Sequence, residues 1–184
     1  MRRLINANVG VWGYPPVFLT LTFAENVQDI RGANYEFKKF RQRLEYRLKI
    51  KLEYVGVIEF QKRGAIHYHV VIFNLPYIEA GELAEIWGHG FIKINKIDQV
   101  DNIGAYVSKY MTKDEYEKEK TDRLIGEKSY FTSRGLRKPL EIVDEKEIER
   151  LAAALSGHKV YSSEYYSDLV GKITYVQYNR KRSV

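Results

Sequence analysis

Two apolar segments joined by a short basic turn constrain the fold of this chain most strongly. Tyr54 to Gln61 and Ile66 to Phe73 are rich in β-branched and aromatic residues, which is typical of buried strands. Lys62, Arg63 and Gly64 lie between them, and the glycine can adopt the left-handed conformation that a three-residue turn requires. This stretch therefore predicts an antiparallel β-hairpin.

The order of the neighbouring elements indicates the fold class. An alternating strand is predicted from Val17 to Phe23, followed by an amphipathic helix capped by Asn34. A short helix opens at Pro76, a fourth strand runs from Phe91 to Lys96, and Asp101 caps the next helix. The order β-α-β-β-α-β predicts an α+β protein. We expect a ferredoxin-like or RRM-like antiparallel sheet of about five strands with helices packed on one side.

The length of 184 residues suits one domain with a hydrophobic core. We expect residues 1–184 to form a single domain, with a motif-bearing core at about 17–113 and a C-terminal extension at about 114–184. The extension is predicted to add a helix and a pair of tyrosine-rich strands: Glu145 to Leu155, Val160 to Ser167 and Lys172 to Asn179.

The composition restricts both the chemistry and the location. There is no cysteine, so a metal ion must be held by histidine, carboxylate or amide groups. The net charge of +6 favours a polyanionic partner. No apolar run reaches the ~20 residues of a membrane helix, and the basic N-terminus lacks the apolar stretch of a signal peptide. We therefore expect a cytoplasmic protein.

The predicted hairpin carries a candidate metal site. Alternate residues of a strand share a face, so His67 and His69 project side by side. The three-residue turn places Glu59 opposite His67 on that same face. Two imidazoles and a carboxylate can hold a divalent ion, and Gln61 is a possible further ligand or neighbour of one. The alternative is a chance histidine pair on a strand.

The helix after Asp101 carries two tyrosines one turn apart, Tyr106 and Tyr110, each followed three residues later by a lysine, Lys109 or Lys113. Nearby positive charge favours the phenolate and neutralises charge that develops on a phosphate. The alternative is that the tyrosines belong to the core. Basic residues at other positions are predicted to bind nucleic acid: Lys38 and Arg41 on the long helix, and Lys62 and Arg63 in the turn. The alternative for the helix is a solvated charged face.

Three segments in this order resemble the motifs of the HUH endonuclease superfamily, in its Rep class. Phe18 to Phe23 resembles the first motif, and His67-Tyr68-His69-Val70-Val71 resembles the histidine pair that binds Mg²⁺ or Mn²⁺. Tyr106-Val107-Ser108-Lys109-Tyr110 resembles the helix that bears the nucleophile. The segment Phe131 to Pro139 also resembles one that follows the third motif in plasmid and phage members. Relaxases of the superfamily carry their tyrosines before the histidines, whereas here the tyrosines follow, as in Rep proteins.

The resemblance implies a rolling-circle replication initiator of a plasmid or virus, in a prokaryotic host. Such a protein nicks and rejoins single-stranded DNA at a replication origin through a covalent 5′-phosphotyrosine, with Mn²⁺ or Mg²⁺ as cofactor. A host helicase and polymerase are the implied partners. Members differ in whether they use the first tyrosine, the second, or both. Here both are expected to be competent, with Tyr106 favoured as the indispensable one.

Two alternatives to this function follow from the same residues. A related HUH transposase or relaxase would use the same chemistry. A non-catalytic RRM-like module would use the sheet only to bind nucleic acid, which accounts for the basic helix and the aromatic residues. That second hypothesis leaves the His67/His69 pair and the two tyrosines as coincidences.

Overall fold

The computed structural model describes residues 1–97, 102–112 and 130–180, with side chains of the middle range described up to Lys109. Its main sheet has five strands in the order β4-β1-β3-β2-β5, and every neighbouring pair is antiparallel. The α+β fold class with its five-stranded antiparallel sheet is thus confirmed. In chain order the elements are α1 (Arg2–Asn8), β1 (Val17–Thr22), α2 (Ile30–Leu48), β2 (Tyr54–Phe60), β3 (Ile66–Ile72), α3 (Ala80–Trp87), β4 (Ile92–Lys96), α4 (Ile103–Thr112) and β5 (Tyr130–Thr132).

The β2–β3 hairpin forms as the sequence predicts. Glu59 pairs with His67, and Gln61 closes the turn by donating its N–H to the Ala65 carbonyl at 2.8 Å. Gly64 has a φ of 84°, a conformation that is costly for residues with a Cβ atom. The turn length therefore fixes the register of the two central strands.

Helices pack on both faces of the sheet, where the sequence predicted one. On one face, α2 and α3 cover a core that includes Leu19, Leu21 and Tyr68. On the other face, α1 and α4 cover a second cluster that contains Phe18 and Val71. The one-sided expectation was wrong because both sets of alternating side chains in the central strands are apolar over part of their length.

The helix α2 begins earlier than predicted. Its N-cap is Asp29, whose carboxylate accepts hydrogen bonds from the backbone N–H groups of Arg31 (3.0 Å) and Gly32 (2.9 Å). Asn34 is not the cap, because it lies inside the helix and accepts a hydrogen bond from the Tyr68 hydroxyl at 2.8 Å. The predicted apolar face is confirmed, and it includes Phe37. The predicted cap Asp101 and the residue Lys113 lie outside the described residues, and so do the side chain of Tyr110 and the charged stretch after Lys113.

The N-terminal helix α1 was missed by the sequence analysis, although it anchors the second face. Ile5 and Asn8 are fully buried, and α1 packs against α4. The two helices approach so closely that the backbone N–H of Gly104 donates to Asn6 Oδ1 at 2.9 Å. A Cβ atom on Gly104 would lie 2.5 Å from the backbone oxygen of Arg2. This contact therefore requires glycine.

The chain divides into two compact units, Met1–Pro139 and Leu140–Val184. The second unit contains α5 (Glu145–Ala154), a short 3₁₀ helix (Ser156–His158) and a two-stranded antiparallel sheet of β6 (Lys159–Ser167) and β7 (Gly171–Tyr178). The predicted helix and strand pair are confirmed. The assignment of residues 1–184 to a single domain stays a prediction. Within the described residues, the structure contains no helix with the length and apolar character needed to span a membrane.

The close contact between α1 and α4 predicts that Gly104→Ala is destabilising. We expect a loss of about 1–3 kcal/mol in the free energy of unfolding, because a backbone oxygen blocks the new methyl group and one helix must shift. Denaturant titration measures the loss. Gly81→Ala is the matched control, because a Cβ atom at that helical position meets no atom within 4 Å. Equal stability of the two variants would contradict the proposed packing constraint.

Candidate metal centre and tyrosine helix

The side chains of Glu59, His67 and His69 converge on the face of the sheet that α1 and α4 partly cover. Each offers a ligand atom, and these atoms all lie within 4.8 Å of one another. His69 is buried, whereas His67 and Glu59 are half-buried. The structure therefore brings together the three residues that the sequence predicted as ligands, in a set able to bind a metal ion.

The imidazole of His69 is held on three sides. Its Nδ1 atom lies 3.1 Å from the hydroxyl oxygen of Thr20, the register partner of His69 on β1. Its Nε2 atom contacts the carboxylate of Glu59. The ring of Phe18 stacks on the imidazole, with 5.6 Å between centroids and an interplanar angle of 6°. A metal-binding Nε2 requires the proton on Nδ1, and a hydrogen bond from Nδ1 to Thr20 would fix that tautomer.

The second imidazole, that of His67, is available as a ligand. Its Nε2 atom is buried and has no hydrogen-bond partner among the described residues. Burial lowers the pKa of His67, and neighbouring positive charge on His69 and Arg63 lowers it further, whereas Glu59 raises it. The ring is therefore neutral at pH 7. An unpaired buried nitrogen costs about 1–3 kcal/mol, and a metal bond would remove that cost.

A cavity of about 500 Å³ opens beside the candidate ligands and is lined by Glu59, Gln61, Lys62, Arg63 and His67. The side-chain oxygen of Gln61 accepts a hydrogen bond from Arg63 Nε at 2.8 Å. The guanidinium of Arg63 also donates to the backbone carbonyl of Phe23 at 2.9 Å. Arg63 therefore ties the turn to the end of β1. The role of Gln61 at a metal and those of Lys62 and Arg63 toward DNA stay predictions.

The helix α4 places Tyr106 near the candidate ligands. Its ring meets the ring of Phe18 edge to face, with 5.5 Å between centroids. Phe18 thus contacts both Tyr106 and His69 on the same face of the sheet. Tyr110 lies one helical turn further along, and Lys109 is exposed. Sequence reasoning named the tyrosines but missed the intervening Phe18, because it did not establish which strand lies beside β3.

The basic residues of α2 lie on the opposite face of the sheet. Arg41 pairs with the buried carboxylate of Glu45, with 3.1 Å between Nη1 and Oε2, and Lys38 is exposed. A DNA strand bound at the candidate metal centre would have to pass around the sheet to reach them. Their predicted role in DNA binding stays untested.

Taken together, the α+β sheet, the candidate ligand set and the adjacent tyrosine helix define a replication initiator of the Rep type, which acts on DNA. Residues 16–115 match the ORF2-type family of replication-associated proteins. The match covers more than half of the chain, and the protein belongs to this family. No curated protein and no solved structure matches the chain.

The contact between Thr20 and His69 predicts that Thr20→Val weakens metal binding. Valine keeps the shape of threonine but loses its hydroxyl group, so the orientation of the His69 ring is less well fixed. We expect Mn²⁺ affinity to fall by about 10- to 100-fold, measured by calorimetry. Thr20→Ser retains the hydroxyl group and should bind Mn²⁺ nearly as tightly as the native protein. Unchanged affinity in Thr20→Val would refute this role.

Proposed function

We propose that the chain is a metal-dependent nicking and joining enzyme of the HUH superfamily that initiates rolling-circle replication. The observation that supports this proposal most directly is the common face shared by the Glu59, His67 and His69 set and the Tyr106 ring. Metal ligands and a nucleophile must act on the same phosphate, so they have to lie on one face. A binding module would have no need for such an arrangement.

The donor set fits a divalent cation. Glu59, His67 and His69 would hold it, and a cation would complete the surroundings of His67 Nε2, which has no partner in the described part of the chain. Mixed nitrogen and oxygen donors suit Mn²⁺, whereas Mg²⁺ prefers oxygen ligands and retained waters. When bound, the cation would polarise a non-bridging oxygen of the scissile phosphate.

In the proposed reaction, the phenol oxygen of Tyr106 or Tyr110 attacks the phosphorus atom. A bond forms between that oxygen and phosphorus, and the bond from phosphorus to the 3′ oxygen breaks. The phenol loses its proton to solvent, and the leaving oxygen takes up a proton to become a free 3′-hydroxyl group. The 5′-phosphotyrosine retains the energy of the broken ester, so a 3′-hydroxyl can later reverse the step without ATP.

Lysines on and just after α4 are proposed to assist this reaction. Lys109 follows Tyr106 by three residues on the helix, and Lys113 occupies the corresponding position in sequence after Tyr110. Their ammonium groups would offset the negative charge that develops during the attack. Single-stranded DNA at a replication origin is the proposed substrate, and a host helicase and polymerase are the proposed partners for unwinding and synthesis.

The covalent step predicts a protein–DNA adduct. Labelled single-stranded origin-like DNA incubated with Mn²⁺ should yield a slower band on a denaturing protein gel, and a chelator should abolish it. Tyr106→Phe should remove most of the adduct, and the double variant with Tyr110→Phe should remove all of it. Tyr46→Phe, on the opposite side of the sheet, should leave the yield unchanged. A full yield of adduct in the double variant would rule out both tyrosines as nucleophiles.

The ligand set predicts that His67→Ala separates binding from chemistry. The Nε2 atom of this half-buried imidazole makes no hydrogen bond within the described part of the chain, so the fold should tolerate its loss. We expect the adduct to disappear while binding of single-stranded DNA, measured without metal, changes by less than about threefold. Native adduct yield in this variant would contradict the proposed metal site. Absence of any adduct in the native protein, with DNA binding intact, would favour the RRM-like binding module.

A further inference from the structure

The edge strand β4 continues the face that carries the candidate metal ligands. β1 lies between β4 and β3, with Thr20 paired to Lys93 on one side and to His69 on the other. One step along, the backbone N–H of Thr22 donates to the carbonyl of Phe91 at 2.9 Å, and Thr22 also pairs with His67. Phe91 and Lys93 therefore lie two strands from the histidines, a distance of about 10 Å.

Strand alternation determines which face these two residues share. Ile92 and Ile94 pack against the core beneath α2 and α3. Phe91 and Lys93 therefore point to the other face, on the side of Thr20 and the histidines. Phe91 is 67% exposed, and Lys93 is also exposed. A large aromatic ring left in water is costly, and an exposed ring of this kind beside a candidate active site indicates a binding surface.

We infer that Phe91 and Lys93 form a subsite for single-stranded DNA beside the candidate metal centre. Phe91 stacks on a base, and Lys93 pairs with a phosphate of the strand whose scissile group lies at the ligands. The inference rests on the proposed function for the position of that scissile group. It assigns the residues of the edge strand to holding the nucleotides that flank the cut.

The chemistry of the pair favours this occupant over other partners. Bases are unstacked and accessible only in single strands, where an aromatic side chain can contact their faces without sequence preference. An ammonium group two residues away supplies the attraction to the backbone. The surface is also continuous with the candidate ligands through Thr20 and Thr22, so a strand can lie across both without leaving the face.

Binding of a fluorescent oligothymidylate to the full chain, followed by anisotropy in the presence of chelator, tests the subsite. Phe91→Ala should weaken affinity by about tenfold or more, and Phe91→Trp should restore it. Lys93→Gln should reduce the slope of log affinity against log salt by about 0.7. Two controls match these changes: Tyr46→Ala removes a ring that is 86% exposed on α2, and Lys96→Gln removes a charge from β4 at a position paired with the buried Val17.

The outcomes separate this inference from the proposed function. If Phe91→Ala and Lys93→Gln bind like the two controls, the subsite is refuted, even if the native protein forms a metal-dependent adduct. If both variants bind weakly while the controls do not, the subsite is supported, even if no adduct ever forms. Thermal unfolding of each variant should match the native protein, because the altered side chains are exposed. A lowered melting temperature in Phe91→Ala that Phe91→Trp does not restore would count against a role in DNA binding.

Discussion

The hydrogen-bond ladder between β2 and β3 determines every feature of the candidate site. Because side chains alternate along a strand, a shift of one residue would turn His67 and His69 into the core beneath α2. The opposite face prevents such a shift. Tyr68 lies between the two histidines in sequence, is fully buried on the α2 side and donates its hydroxyl hydrogen to Asn34. The hydrophobic effect on one face thus maintains the polar arrangement on the other, since exposing Tyr68 would cost more than any gain at the histidines.

The second determinant is the contact between α4 and the sheet. Phe18 is shared by the His69 imidazole and the Tyr106 ring, so the distance between ligand and tyrosine depends on one buried aromatic side chain. α4 itself depends on α1, through the close approach at Gly104. The position of the tyrosine helix is therefore set by packing that begins at the N-terminus of the chain. A network of this kind holds reactive groups more rigidly than a loop would.

The sequence sufficed where local rules decide the structure. The three-residue turn fixed the pairing of Glu59 with His67, and strand alternation placed both histidines on one face. It was insufficient where partners come from distant segments. The pairing of Thr20 with His69 depends on the order of strands in the sheet, and α1 is too short and polar to announce burial of its Asn8. The cap of α2 was misplaced because an asparagine inside a helix has the same side-chain chemistry as one that caps it.

The buried amide of Asn8 has a consequence for the evolution of such chains. It donates to the carbonyl of Arg137 at 2.9 Å and accepts from the N–H of the same residue, so the segment before β1 holds the segment after β5. Both residues lie outside the stretch 16–115 that matches the family. Genetic exchange with breakpoints at the ends of that stretch would transfer the motifs without the scaffold that packs against Phe18 and Val107. The heritable functional unit is therefore larger than the recognisable one, and it extends at least from α1 to Arg137.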